Sequence, residues 1–239
     1  MLTLSLLIAA GAASAEPAPV IAQDRAVVDA FARCIAAKHH DDAKIYALHQ
    51  YGDNWQALQT ANRAFFKLRD MECAPAGARN SLKKITEGEF KLAIAGALVR
   101  EDLAQFDAGL ISGAKPLPIA TYVDNLWRKP EDCKACNAKE MEQLANTRQQ
   151  MAKHLAPHIF SECVVRADAS KVHDMLMTDP DSPAEIRTFQ ALMPVLSQCL
   201  AEGEAMTVTR PAIRGFLALN YYRVANAPRI ATASAGATK

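Results

Sequence analysis

Apolar residues recur at intervals of three and four through most of the chain, the spacing that lays them along one face of a helix. The clearest run is Phe189, Leu192, Met193, Leu196, Cys199 and Leu200. Ser182 stands where a helix cap belongs, Pro183 suits the first helical position, and Glu185 has the spacing that completes a capping box. Pro194 lies inside this run and predicts a kink. An earlier segment carries Trp55, Leu58, Phe65, Leu68 and Cys73 along a similar face, with Phe66 as a further aromatic edge. Residues 137–156 read as a helix with Met141, Leu144, Met151 and Leu155 on one side, ended or bent by Pro157. Residues 91–100 and 212–223 each read as a helix, the second capped by Thr209 with Pro211 in its first turn.

The same order of features occurs twice. FARCIAAKHHDDAKIYAL at 31–48 matches FSECVVRADASKVHDMLM at 160–177: a Phe, two residues, a Cys, then an acidic residue before a second short helical pattern. A longer apolar-periodic segment follows each and ends in another cysteine, Cys73 or Cys199, with Gly77 or Gly203 four residues on. The final helical stretch of each copy follows. These features predict an all-α fold built from a duplicated helical unit. A minor β pairing between SLKKIT (81–86) and MTVT (206–209) is an added expectation. The boundaries implied are 1–15 for a signal peptide, 16–100 for the first unit, 101–157 for a linker and central helix, 158–225 for the second unit, and 226–239 for a flexible tail.

Composition narrows the function classes. Alanine and leucine dominate, which suits helices. The 27 basic and 26 acidic residues leave a formal net charge of +1, without the basic excess that a phosphate-reading protein carries, so nucleic acid is not expected as a partner. The N-terminal apolar run at 2–10, followed by Ala13-Ser14-Ala15, reads as a signal peptide with a small-residue cleavage site, although no Lys or Arg stands near Met1. It is shorter than the roughly 20 residues of a membrane span. The expectation is a periplasmic or secreted protein with no integral span after cleavage.

An exported chain with six cysteines favours disulfides, and six permit 15 pairings. The repeat reduces them to Cys34–Cys73 and Cys163–Cys199, each tying the first helix of a unit to its third. Cys133 and Cys136, in CKACN, are then left for a local staple at the start of the central helix. Two other chemistries fit this pair. A redox centre would use Asp132 as a cap and Lys134 to favour a thiolate, but no βαβ pattern surrounds it. Zinc would use Cys133, Cys136, His154 and His158 in the order C-x2-C-x17-H-x3-H, a gap longer than the usual finger. The c-type haem reading fails because Asn137 occupies the position of the required His. His39, His40 and His49 could form a copper or haem cluster; the plainer reading makes His39-His40 the polar end of the first helix. His173 is expected at a surface or boundary. Tyr221, Tyr222 and Arg223 are a candidate exposed binding edge, against packing as the default, and Glu87, Glu89, Asp179 and Asp181 read as solvated turns. No GxSxG, HExxH or phosphate-binding glycine loop occurs.

The segment CVVRADASKVHDML, with LMPVLSQCLAEGEAMTVTRPAIRGFLALNYY after it, resembles a pattern in uncharacterised exported helical proteins of alphaproteobacteria, especially sphingomonad-like bacteria. The resemblance implies export and a two-cysteine helical unit and carries over no catalytic or cofactor residues. The functional expectation is a non-catalytic periplasmic or secreted protein that binds an envelope protein or a small ligand. The alternatives are a thiol–disulfide protein using Cys133 and Cys136, or a zinc- or haem-binding protein.

Overall fold

The structure, a computed structural model, describes residues 25–50, 53–118, 133–200 and 208–228. The signal peptide predicted at 1–15, the linker stretch 119–132, Met206 and Thr207 of MTVT, and residues 229–239 of the tail lie outside the described residues. The described residues contain ten α-helices, in order α1 (Arg25–Lys38), α2 (His40–Leu48), α3 (Trp55–Leu68), α4 (Arg79–Leu82), α5 (Glu87–Asp102), α6 (Ala108–Ser112), α7 (Ala138–Ala167), α8 (Ala169–Met177), α9 (Pro183–Gln198) and α10 (Arg210–Ala225), with a 3-10 turn at Met71–Cys73. The described part is therefore all-α. No strand occurs there: Ser81 and Leu82 close α4, and Thr86 caps α5 instead of joining a β pair.

Local chemistry explains the helix starts. Asn54, Thr86, Asn137, Asp168, Ser182 and Thr209 each accept a hydrogen bond from a first-turn amide through the side chain. Such a cap is worth about 1 kcal/mol against Ala. The capping box expected at Ser182 forms only by half. Glu185 donates its amide to Ser182 Oγ, but its carboxylate turns inward and accepts from the Asp181 amide at 2.9 Å. The two internal prolines do not end their helices: α7 passes Pro157 and runs to Ala167, and α9 passes Pro194 and runs to Gln198.

At the centre, α5 packs along α10, the most extensive helix–helix contact; α1 lies on α5 and α7 on α10. The pair α2–α3 flanks one side and α8–α9 the other. Ile94, Leu98, Leu217, Tyr222, Leu155 and Leu192 are fully buried between these layers. Gly215 permits the close approach, because a Cβ there would stand 2.8 Å from Leu92 Cβ. Of the apolar face predicted for α3, Leu68 is buried, whereas Trp55 and its neighbouring aromatic edge Phe66 are 69% and 75% exposed. That face is narrower than the sequence suggested, since α3 packs chiefly on α2.

The C-termini of α2 and α8 are closed by matching cations. Arg223 donates to the carbonyls of Ala47 and His49, and Arg100 donates to those of Leu176 and Thr178. Both arginines are the fourteenth residue of their helices, α10 and α5. Lys91 donates to the His49 carbonyl (3.1 Å) and Arg214 to the Thr178 carbonyl (2.7 Å), and both are fifth in their helices. Cations suit these positions because the last carbonyls of a helix lack amide partners and carry its negative dipole end.

All three disulfides are closed as paired from the sequence: Cys34–Cys73 joins α1 to the 3-10 turn after α3, Cys163–Cys199 joins α7 to the end of α9, and Cys133–Cys136 precedes α7. Among the described residues, no helix is long and apolar enough to cross a membrane.

Candidate functional site

Among the described residues a cleft of about 730 Å³ is bounded by the end of α2, by α3, by the first turns of α5, and by α7 and α10. Its apolar lining is Leu58, Leu92, Pro157, Phe216 and Leu219. Its basic lining is His49, Lys91, Lys153, His154, His158 and Arg223. Three acids, Asp53, Glu87 and Glu89, also line it. Glu89 closes the capping box of α5, and Asp53 accepts from His49 Nδ1 at 2.9 Å and from the Gln50 amide.

Lys91 is a strongly perturbed base here. Burial, and then the charge of Arg223, lowers its ammonium pKa to about 7, against partial offsets from Glu87 and Asp53. Its Nζ lies 4.9 Å from the centre of the Tyr46 ring, an arrangement that favours the cation. Among the described residues no carboxylate is within ion-pair distance of it. His158 is lowered to about 3, first by burial and then by the charges of Arg223, His154 and Lys91, so it is neutral at ordinary pH. Its ring meets Phe216 edge-on with centroids 4.8 Å apart. His49 is also lowered, by burial and then by Lys91, with Asp53 opposing. Burial pushes the Tyr46 phenol far above its usual range.

A second, smaller cleft of about 320 Å³ lies across the α5–α10 pair, between these helices and α1. Its polar end is filled by a buried ion cluster. Glu185, 0% exposed, receives Arg25 Nη2 at 2.8 Å and Arg214 Nη1 at 3.1 Å, while Asp181 pairs with Arg25 and Arg210. Burial alone would raise the Glu185 pKa; the hydrogen bonds from Arg25 and the Asp181 amide and the charge of Arg214 together hold it below the usual range.

The sequence candidates distribute unevenly over this geometry. His49, His154 and His158 reach the large cleft. His39 and His40 do not, since their Nε2 atoms bond Asp70 (3.2 Å) and Asp102 (2.7 Å), so no three-histidine cluster forms. Cys133 and Cys136 precede α7, whereas His154 lies roughly 24 Å along that helix, at 1.5 Å per residue. The four proposed zinc ligands therefore do not converge, and the two cysteines are bonded to each other. That disulfide is half-buried, just before the capped N-terminus of α7. His173 is not at the surface: it is buried, bonded through Nε2 to the Leu103 carbonyl and packed beside Phe106 and Tyr221. Tyr221, Tyr222 and Arg223 form no exposed edge. All three are buried, with Tyr222 donating to Asp102 and Arg223 to the end of α2. Asp179 and Asp181 are engaged with Arg100 and Arg25.

Sequence reasoning missed Lys91, Arg214 and Glu185 as interior charges. The shared fifth position of Lys91 in α5 and Arg214 in α10 could have signalled the two bases, while no recurrence marks Glu185. No family model, no curated protein and no solved structure matches the chain.

Proposed function

We propose that this is a non-catalytic ligand-binding protein of the periplasm or the secreted fraction, with the 730 Å³ cleft as its binding site. The observation that carries the reading is a desolvated ammonium, Lys91, facing open volume without a carboxylate partner among the described residues. A structural lysine is ordinarily solvated or paired, because a buried unpaired charge is costly. A concave site with an apolar wall and a few convergent polar groups is the usual form of a small-molecule site.

The reading includes export and a duplicated origin of the two halves. Export is supported by the segment at 1–15, by the resemblance to exported alphaproteobacterial helical proteins and by three disulfides, which persist in oxidising compartments. Duplication is supported by the equal lengths of α2 and α8 (9 residues each) and of α5 and α10 (16 each), and by the exchanged cations that close α2 and α8.

Gly88 lines the cleft, and a Cβ there would meet nothing within 4 Å. Gly88→Trp should therefore fill the mouth without disturbing the core. Native mass spectrometry of protein isolated from the periplasm of expressing cells should show a retained small ligand in the natural chain and its loss in Gly88→Trp, with little change in Tm. Retention in both proteins, or in neither, would refute the assignment of the cleft.

A further inference from the structure

Two cations share one acceptor in the large cleft. Lys91 Nζ donates to the His49 carbonyl at 3.1 Å, and Arg223 Nη2 donates to the same oxygen. The two groups are thereby held side by side. A guanidinium keeps its proton at any ordinary pH, so the lysine is the one that yields. An amine shielded from water beside a fixed positive charge loses basicity, and the neutral amine is a nucleophile. Lys91 is half-buried and lines the open cleft.

The groups around it act in both directions. Glu87 on α5 and Asp53 after α2 restore part of its basicity, and the face of Tyr46, 4.9 Å from Nζ, also favours the cation. Asp53 is shared with His49 and the Gln50 amide, and Glu89 closes the capping box of α5. The α7 wall places Lys153, His154 and His158 on the lining. Burial and the charge of Arg223 outweigh the acids, and the ammonium gives up its proton at about pH 7.

We propose that Lys91 is a covalent docking point for a carbonyl compound: its amine condenses with the aldehyde group of an apolar ligand whose body lies along Leu92, Phe216 and Leu219. This rests on the cleft being the ligand site. In the step itself the nitrogen lone pair forms a bond to the carbonyl carbon, and the C–O π pair moves to oxygen. One amine proton passes to that oxygen. The second then leaves with the hydroxyl group as water, and a carbon–nitrogen double bond remains. No electrons are gained or lost overall, and hydrolysis of the imine releases the ligand unchanged.

The amine's reactivity tests this directly. An ordinary exposed lysine is neutral to only on the order of one part in a thousand at pH 7. Part of the advantage of Lys91 is offset because a less basic amine is also a weaker nucleophile. The full oxidised protein is treated with limiting benzaldehyde and cyanoborohydride, and benzylated lysines are located by peptide mapping. At pH 7 Lys91 should be labelled at least tenfold faster than the exposed Lys139 and Lys153. The ratio should narrow towards pH 10, as exposed lysines lose their protons. Gly88→Trp should remove the fast labelling, and Lys91→Met should abolish it while leaving the other sites unchanged. Borohydride added to freshly isolated natural protein should fix the retained ligand to Lys91. Labelling of Lys91 no faster than Lys139, or fast labelling that persists in Gly88→Trp, overturns the covalent assignment. A natural ligand that is lost on Gly88→Trp yet is not fixed by borohydride also overturns it, and leaves the cleft as a non-covalent site. If no natural ligand is retained at all, both readings fall.

Discussion

Glu185 shows how far a residue's role can depart from its place in the sequence. Its spacing from Ser182 reads as a solvated cap partner, yet the side chain is 0% exposed and joins Arg25 and Arg214. Glu185→Gln keeps the shape and removes the counter-charge from two largely buried guanidinium groups. Removing one partner of a buried pair typically costs about 3–5 kcal/mol. Urea unfolding at pH 7 should therefore show a loss of that order, and a loss below about 1 kcal/mol would mean the cluster is energetically slack. The Glu185 pKa is depressed in the fold, so its contribution is full above the unfolded carboxyl pKa and fades as pH falls through the folded value. The gap between the natural and Gln proteins should accordingly narrow in acid. The same limit on sequence reading applies to His173, where a polar ring suggested a surface or boundary and the Leu103 carbonyl made burial affordable; for Tyr221, Tyr222 and Arg223 the default reading, packing, is the one the structure shows.

At the scale of elements, the helix starts were legible because caps act within four residues. Ser182 and Thr209 cap as their spacing predicts. Helix ends were less so. Pro157 was expected to end or bend the central helix; it does not end it, since α7 runs on to Ala167, and Asn220 of α10 donates to the neighbouring His158 carbonyl. That contact comes from α10, beyond the reach of a local pattern. The α5–α10 contact depends on a missing side chain. Gly215→Ala forces a Cβ into Leu92 Cβ, not into the free end of a flexible side chain, so the helices must separate. Overpacking of this kind costs about 1–3 kcal/mol, more than the helix propensity that Ala returns. Chemical denaturation should show net destabilisation; an equal or more stable Gly215→Ala protein would mean that the helices part freely.

For the molecule as a whole, the disulfides act on the unfolded chain as much as on the fold. Cys34–Cys73 and Cys163–Cys199 span 39 and 36 positions, whereas Cys133–Cys136 spans only 3. Loop-closure entropy assigns about 4 kcal/mol to each long bond and about 2 kcal/mol to the short one. Replacing both cysteines of either long pair with Ser should thus lower stability about twice as much as replacing Cys133 and Cys136, as read from urea midpoints. The reverse order would mark the CKACN bond as holding something larger than its own turn. The sequence by itself determined the all-α class, the helix caps and the three cysteine pairings, because periodicity, capping and a repeated order of residues are encoded along the chain. The tertiary structure alone decided where the interior charges lie and which cavity is left open. Lys91, Arg214 and Glu185 acquire their meaning only when α5 packs against α10 and the flanking helices close around the pair. Desolvation and ion pairing depend on distances between segments far apart in the chain, and no local pattern records them.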